Sequence, residues 1–392
     1  MRVLHFARSF SPLSETFIYD YVTELERQGV DNHVVTFHRK NPEERPFPKI
    51  EVVDRPSRWH PRRLWHRALV PFGVGEARTS DWPQTRERLA AVVQRVHPDV
   101  IHAHFGPAGV LMGPVAETAG IPLAITMYGY DVSRLAQEEF WRDRYPSTFT
   151  KASLLIGISR HICDQIETLG GSSEKISRWH LGVDLSQFEY RPADASFDGQ
   201  TVQCLHVGRL VEKKSPLDLA RAFKHALDEA RDGIGLKLTV AGDGPLRPDL
   251  EDEVCELGIE KHVSILGSVP HSRVSNLLAQ ANLYTQHCKT ASNGDQEGQG
   301  VSFVEAAASG LPIIATRHNG LPDVILDGKT GYLVDEGDVK AMGNKIAQLV
   351  ETPDQWCSLG KAGRRHIEEN FDLQKQAKKM KKKYLTYHLD IR

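Results

Sequence analysis

The chain reads as two α/β domains, each built on a mostly parallel sheet covered by helices. Three observations predict this. Its 392 residues exceed the usual span of one domain and suit two. Short apolar runs alternate with segments of helical periodicity, the signature of strands wound with crossover helices. The alternation then restarts near residue 202, after the polar, aperiodic stretch RPADASFDGQ at 191–200. The expected boundaries are 1–190 for the first domain, 191–200 for a linker, 201–371 for the second domain and 372–392 for a terminal helical segment.

The elements follow in order. RVLHFA at 2–7 is a strand, and RSFSPLSE is a loop. Phe17, Ile18, Tyr21, Val22 and Leu25 recur at helical spacing, so a helix is expected over 15–28 with Ser14 as its N-cap. HVVTF at 33–37 returns as a strand. Helical segments at 83–96, 108–118 and 160–169 alternate with strands at 99–105, 123–129 and 152–159. In the second half VQCLHVG at 202–208 is a strand. Ser215 and Pro216 then read as N-cap and first helical residue, with Asp218 completing an approximate capping box. Strands follow in LKLTVAG, HVSILGSV, ANLYTQ, LPIIATR and TGYLVD.

Composition narrows the function. The hydrophobic share is 40% and the charged share 26%, ordinary for a globular protein. The formal charge is −2, so no global basic excess calls for nucleic acid. The five cysteines form no CxxC, which argues against a disulfide framework or structural zinc and fits a reducing compartment. The N-terminal residues lack a long apolar run, so no secretory signal is expected. No stretch approaches the roughly 20 apolar residues that span a bilayer. No G-x-G-x-x-G follows the first strand and no G-x-x-x-x-G-K-[ST] occurs, which disfavours a nicotinamide dehydrogenase and a P-loop enzyme.

Two constellations carry chemistry. EGQGVSFVEAAASGLP at 297–312 places Glu297 and Glu305 eight residues apart, with Gly298 and Gly300 relaxing the backbone before a helix at 301–309. The free amides of a helix start suit a phosphate, and carboxylates suit hydroxyls. Taken alone, Glu297 reads equally as a surface carboxylate and Glu305 as a helix-start charge favoured by the dipole. The second constellation is GRLVEKKS at 208–215. Arg209 at the strand tip and Lys214 before the helix could converge on a diphosphate, where charge-assisted hydrogen bonds are strong. The alternative is a solvated basic loop.

These motifs resemble those of a retaining glycosyltransferase of the large bacterial family 4, with the GT-B fold. The resemblance extends from residue 2 to beyond 335. Its most specific parts are GRLVEKKS, AGDGPL at 241–246 and the long run from Glu297 to Val334, joined by LIGISRHICDQIETLG at 155–170 and HLGVDLSQF at 180–188. SPLSETFI at 11–18 is similar to the subgroup that builds capsule, exopolysaccharide or lipid-linked oligosaccharide. The resemblance implies two Rossmann-like domains facing across a cleft, with the last helix crossing back to the first domain. It implies that Gly208, Arg209 and Lys214 hold the donor diphosphate, that Glu305 accepts from the ribose and that Glu297 meets donor-sugar hydroxyls. A loop at Phe303, Val304 and Glu305 would approach sugar and phosphates. Ser14 and Glu15 would close over the donor and shape the acceptor side, and His104 would line the cleft wall. The chain departs from the family at Tyr128, where His is common, at Ser215, where Gly is common and which reads as a compatible N-cap exchange, and at Gly300 and Asp323.

The implied reaction moves a hexosyl group from a UDP- or GDP-sugar to a glycan or polyprenyl-diphosphate-linked acceptor. It needs no cofactor and no metal, since two cations serve the leaving group and no Asp-x-Asp motif stands in a suitable loop. His102 and His104 share one face of their strand, but no third ligand has convincing spacing; hydrogen bonding in the cleft and plain packing are the other readings. Arg55, Arg58, Arg62, Arg63 and Arg67, interleaved with Trp59, Leu64 and Trp65, resemble an anchor for anionic lipid. The alternative there is a basic helix with its tryptophans turned inward. The resulting expectation is a cytoplasmic enzyme, peripheral on the inner face of the membrane, whose oligomeric state stays open. Competing readings are a nucleotide-sugar epimerase, a glycan phosphorylase, and a non-catalytic sugar-binding subunit.

Overall fold

The structure is a computed structural model that describes residues 1–12, 15–57, 59, 61, 63–65, 77–230 and 233–389. The chain divides into two compact units. One comprises Met1–Gly157, Cys163–Trp179 and Ala377–Arg392, and the other Ile158–Ile162 and His180–Gln376.

The first unit is a seven-stranded parallel sheet in the order β3-β2-β1-β4-β5-β6-β7. These strands are β1 (Arg2–Phe10), β2 (Asp31–Arg39), β3 (Ile50–Val52), β4 (Val100–His104), β5 (Leu123–Met127), β6 (Leu154–Gly157) and β7 (Ile176–Arg178). The main crossover helices are α1 (Thr16–Arg27), α2 (Trp82–Val96), α3 (Gly106–Ala119) and α4 (Arg160–Thr168). Central strands covered on both faces become wholly buried, as β4, β5 and β6 are. Helix α1 buries Ile18, Tyr21, Val22 and Leu25, the face its periodicity marks. The strand order reverses between β1 and β4, so a crevice opens outside their carboxyl ends.

The second unit is a six-stranded parallel sheet in the order β10-β9-β8-β11-β12-β13. Its strands are β8 (Thr201–Val207), β9 (Gly235–Ala241), β10 (Val263–Gly267), β11 (Leu283–Gln286), β12 (Ile313–Thr316) and β13 (Gly331–Val334). Its helices include α5 (Pro216–Glu229), α6 (Arg247–Glu256), α7 (His271–Gln280), α8 (Val301–Ser309), α9 (Val339–Glu351) and α10 (Asp354–Asn370). The order reverses between β8 and β11, and the loops after those strands carry the two charged constellations.

The last helix, α11 (Leu373–Leu389), passes its C-terminal part to the first unit. Ala377, Met380 and Tyr384 form its buried stripe, while Lys378, Lys379 and Lys382 face solvent. The Tyr384 hydroxyl meets Tyr21 Oη at 2.7 Å and His102 Nδ1 at 2.5 Å. No helix among the described residues is long and apolar enough to cross a membrane.

Several expectations need correction. Strand β1 runs on to Phe10, because Ser9 and Phe10 pair with His38 and Arg39 of β2. The residue before α1 is Glu15, whose side chain makes no capping bond, and Ser14 lies outside the described residues. The stretch expected as a linker at 191–200 lies within the second unit, where Arg191 N donates to Ser309 O at 3.1 Å and Asn282 Nδ2 to Ala193 O at 2.8 Å. Ser215 precedes α5 but does not cap it with its side chain. Its φ is +42° and its hydroxyl donates to Asp218 instead. A left-handed backbone favours glycine, so serine here is a strained replacement and not an equivalent cap.

Candidate active site

The second unit assembles one charged notch from its own loops. After β8 the chain turns at Gly208 into Arg209, whose side chain is exposed and makes no hydrogen bond or ion pair among the described residues. A second loop, after β9, holds the first in place. Gly208 N donates to Ala241 O at 3.0 Å, Leu210 N to Asp243 O at 2.9 Å and Leu246 N to Leu210 O at 3.1 Å. The two backbones touch so closely that a Cβ at Gly242 would stand 1.8 Å from Gly208 O, and one at Gly244 2.4 Å from Leu210 O. The glycines of AGDGPL are therefore spacers that hold Arg209 in place.

Lys214 and Glu297 are the buried pair of the notch. Their charged ends lie 3.0 Å apart, with side-chain exposures of 9% and 16%. Burial alone would push the Glu297 carboxyl up, but Lys214 and then Lys213 outweigh it and hold it down to about 2. Burial would likewise pull Lys214 down, yet Glu297 leaves its ammonium above the ordinary value, with Arg209 near enough to oppose this. Lys214 also stands 5.7 Å over the Phe303 ring. Lys213, which the sequence did not single out, grips the following loop through Asp295 at 3.2 Å and Gln296 O at 3.1 Å.

The loop 297–300 is pinned from three sides. Glu297 N meets His318 Nε2 at 3.1 Å, and His318 Nδ1 meets Glu336 at 2.5 Å. Gln299 bonds both N and O of Leu181, at 2.8 and 2.9 Å. Gly320 passes under Gly298, where a Cβ would lie 2.0 Å from the carbonyl oxygen. Gly300 then takes φ +74° and opens α8, where Phe303 N donates to Gly300 O at 3.0 Å and the first amides are those of Val301 and Ser302. His318, Gln299 and Gly320 thus act on the site only through the fold, and motif spacing alone gives no reason to choose them.

Glu305 lies in the second turn of α8, and its carboxylate meets His271 Nε2 at 3.0 Å. Phe303 and Val304 are not in a loop. They lie in the helix, and their apolar side chains are fully buried in the core, Phe303 against Tyr284. Their side chains offer a ligand nothing, and the Phe303 N–H already donates to Gly300 O at 3.0 Å.

Glu15 and His104 belong to the first unit. His104 is fully buried, so it does not line a surface as expected. A third histidine joins it: His5, which the parallel register of β1 and β4 sets beside His102. The ligating atoms of His5, His102 and His104 all lie within 4.8 Å of one another. All six ring nitrogens are nonetheless engaged, with Asn32, Thr126, Tyr128, Tyr384 and each other. Tautomers follow from one end. Asn32 donates through Nδ2 to Val22 O and Val30 O, so its Oδ1 accepts from His5 Nε2. His5 Nδ1 then accepts from His104 Nε2, and His104 Nδ1 accepts from the Tyr128 hydroxyl at 2.6 Å. The chain fixes Tyr128, and burial keeps the imidazoles neutral by lowering their pKa, that of His5 to about 4. Beyond Tyr128, Asp131 accepts from the amides of Gly106, Tyr128 and Gly129 at 2.9–3.0 Å and so folds the loop after β5 onto α3.

Of the basic segment at 55–67, Arg58, Arg62 and Arg67 lie outside the described residues. Trp59 and Trp65 are 70% and 62% exposed, so these two tryptophans do not turn inward.

Two family models cover most of the chain: Glycosyltransferase Family 4 matches residues 14–187, and Glycosyl transferases group 1 matches residues 188–366. The chain is 26% identical to the amylovoran biosynthesis glycosyltransferase AmsK of Erwinia amylovora, covering 95% of this chain and 96% of that protein. It is 30% identical to a GDP-mannose-dependent alpha-(1-6)-phosphatidylinositol monomannoside mannosyltransferase of Mycolicibacterium smegmatis, covering 70% and 73%. Among solved structures, Anabaena Alr3699/HepE in complex with UDP and glucose superposes with a TM-score of 0.74 at 20% identity, over 98% of this chain and all of that one. Two Rossmann-like units with parallel sheets and a basic notch at a strand tip define a glycosyltransferase of the GT-B fold. The chain belongs to glycosyltransferase family 4.

Proposed function

We infer that this enzyme moves a hexosyl group from a nucleoside-diphosphate sugar, UDP- or GDP-linked, to a glycan or polyprenyl-diphosphate-linked acceptor, with retention of configuration. The setting is bacterial surface-polysaccharide synthesis on the inner face of the cell membrane. The observation that carries the reading is the notch itself: an exposed Arg209 with no hydrogen bond or ion pair among the described residues, the Lys214–Glu297 pair at 3.0 Å, and the amides of Val301 and Ser302 at the start of α8. A relative that uses GDP-mannose and a structural neighbour complexed with UDP and glucose support the donor class.

The donor side is the second unit, and the acceptor side the first. Arg209, Lys214 and the helix amides receive the diphosphate and stabilise the charge that grows as the anomeric C–O bond breaks. Glu305 accepts from a ribose hydroxyl. Glu297 accepts from donor-sugar hydroxyls while orienting Lys214. The acceptor hydroxyl bonds to the anomeric carbon on the face the diphosphate leaves, and its proton passes to a departing phosphate oxygen. Ser14 and Glu15 shape the acceptor side, and His104 acts through Tyr128. The exposed Trp59, Leu64 and Trp65 among the arginines of 55–67 favour docking on an anionic membrane surface.

Incubation with UDP- and GDP-hexoses, with and without lipid-linked acceptor, reads the reaction as nucleoside diphosphate release. Lys214→Ala and Arg209→Ala should each lower turnover by roughly tenfold to a hundredfold, the value of one charge-assisted hydrogen bond. Arg209 has no hydrogen bond or ion pair to lose among the described residues, so its variant should keep the fold. Wild-type turnover in both variants would remove the notch from the mechanism.

A further inference from the structure

The first unit holds a cavity of about 180 Å³ that the donor chemistry does not use. It sits where the strand order reverses, at the carboxyl ends of β1 and β4, because Arg8 of β1 and Pro107 just past β4 both line it. Its charged lining is Arg8, Arg55, Arg78 and Asp81. Arg55 is spoken for by Asp81 at 2.6 Å, and Arg78 by Glu138 at 2.8 Å. Arg8 has no hydrogen bond or ion pair among the described residues, so the surplus positive charge is its own.

Two further groups are unsatisfied. The Trp141 indole N–H and Asp81 Oδ1 are both buried without a hydrogen-bond partner among the described residues, although their residues are only 6% and 0% exposed. Buried polar groups rarely stay unpaired. A bare guanidinium and an indole N–H both donate, which calls for an oxyanion. Asp81 Oδ1 accepts, which calls for a hydroxyl. Phe37, Trp82 and Phe140 add aromatic walls suited to the apolar C–H face of a pyranose. A second cavity, of about 260 Å³, shares Arg8 and Pro107 and is also lined by Glu15.

We propose that this cavity binds an anionic sugar of the acceptor, a hexose bearing a phosphate or a carboxylate, with Arg8 as its charge contact. The proposal deepens the functional reading above and rests on it for the word acceptor. Phosphate would mark a lipid-phosphate-linked sugar, and carboxylate an acidic residue of the growing glycan.

Calorimetric titration of the full chain with glucose 1-phosphate, glucuronate and glucose, in excess UDP and GDP to occupy the donor notch, tests it. At least one anionic sugar should bind at least tenfold more tightly than glucose. Arg8→Ala should weaken that binding tenfold or more, and Trp141→Phe several-fold. Preference for glucose 1-phosphate assigns the phosphate source, and preference for glucuronate the carboxylate. Equal binding of all three sugars, or wild-type binding by Arg8→Ala, would overturn the proposal. Nucleoside diphosphate release from donor by the wild-type enzyme is read separately. Its absence sinks the donor reading and leaves the anion titration standing.

Discussion

Glu297 and Lys214 hold opposite charges 3.0 Å apart with little water around either. Such a pair does little for net stability, but removing one partner strands the other, which costs about 3 kcal/mol or more. Glu297→Gln should therefore destabilise the enzyme by about that much. The pH dependence of this penalty is set by both groups. Glu297 is depressed from 4.5 to about 2, so its contribution is complete above pH 4.5 and is lost only as the pH falls toward about 2. Lys214 is raised above 10.5, so its contribution is complete below pH 10.5 and is lost only as the pH climbs past the raised value. Between those limits the wild-type pair contributes a constant amount, whereas in E297Q burial pulls the stranded Lys214 down, so it sheds its proton as the pH rises and the penalty shrinks. Urea unfolding of wild type and E297Q at roughly pH 7 and roughly pH 9 reads it. A penalty that grows from the lower pH to the higher would mean the pair is not ionised as the geometry implies.

At the scale of elements, the loops after β8 and β9 behave as one object. Three backbone hydrogen bonds and two glycine contacts lock them together. Gly242→Ala would push a methyl group to 1.8 Å from Gly208 O, and neither backbone can yield without moving Arg209. The expected result is a drop of tenfold or more in kcat/KM for the donor, since small misplacements of a charged contact are costly. The sheet should survive, with circular dichroism close to wild type. Unchanged donor kinetics in G242A would show that the turn does not position the arginine. This coupling also explains which features can be read from sequence. Strong periodic elements such as α1, α2 and α5, and the glycine-bounded α8, are legible because their own residues encode them. Strands β3 and β7 are three-residue edges, too short to show a period. The notch residues Arg209, Lys214 and Glu297 are legible from their motifs. Gln299, His318 and Lys213 are not, because their roles come from partners more than a few residues away, as Gln299 meets Leu181. Ser215 misleads because its composition matches a cap while its φ of +42° is set by the turn before α5.

At the scale of the whole molecule, buried histidine sets the response to acid. His5, His102 and His104 in the first unit and His206, His287 and His318 in the second are fully buried, and burial lowers all six, His5 to about 4 and His206 to about 3. In the unfolded chain each returns to about 6.5. The unfolded state therefore binds protons that the folded state refuses, and stability falls as the pH drops below 6.5. This precedes the carboxylates, since Glu297 still holds its charge well below that pH. Below about pH 6.5 each of these histidines therefore costs stability. In the first unit the three rings are clustered: His5 and His104 bond each other, and His102 engages Thr126 and Tyr384 of the last helix. Protonating any of them turns an accepting ring nitrogen into a donor and breaks one of these bonds. Denaturant unfolding from about pH 7.5 to about pH 5.5 should show a steep loss of midpoint. Hydrogen exchange should place the earliest opening in β1, β4 and α11. Replacing Tyr384 by Phe should deepen the loss, because His102 then gives up a buried partner and the helix its anchor. A midpoint unchanged across that range would mean that the three imidazoles are already protonated or hydrated in the folded enzyme, and the neutral chain ending at Tyr128 would have to be abandoned.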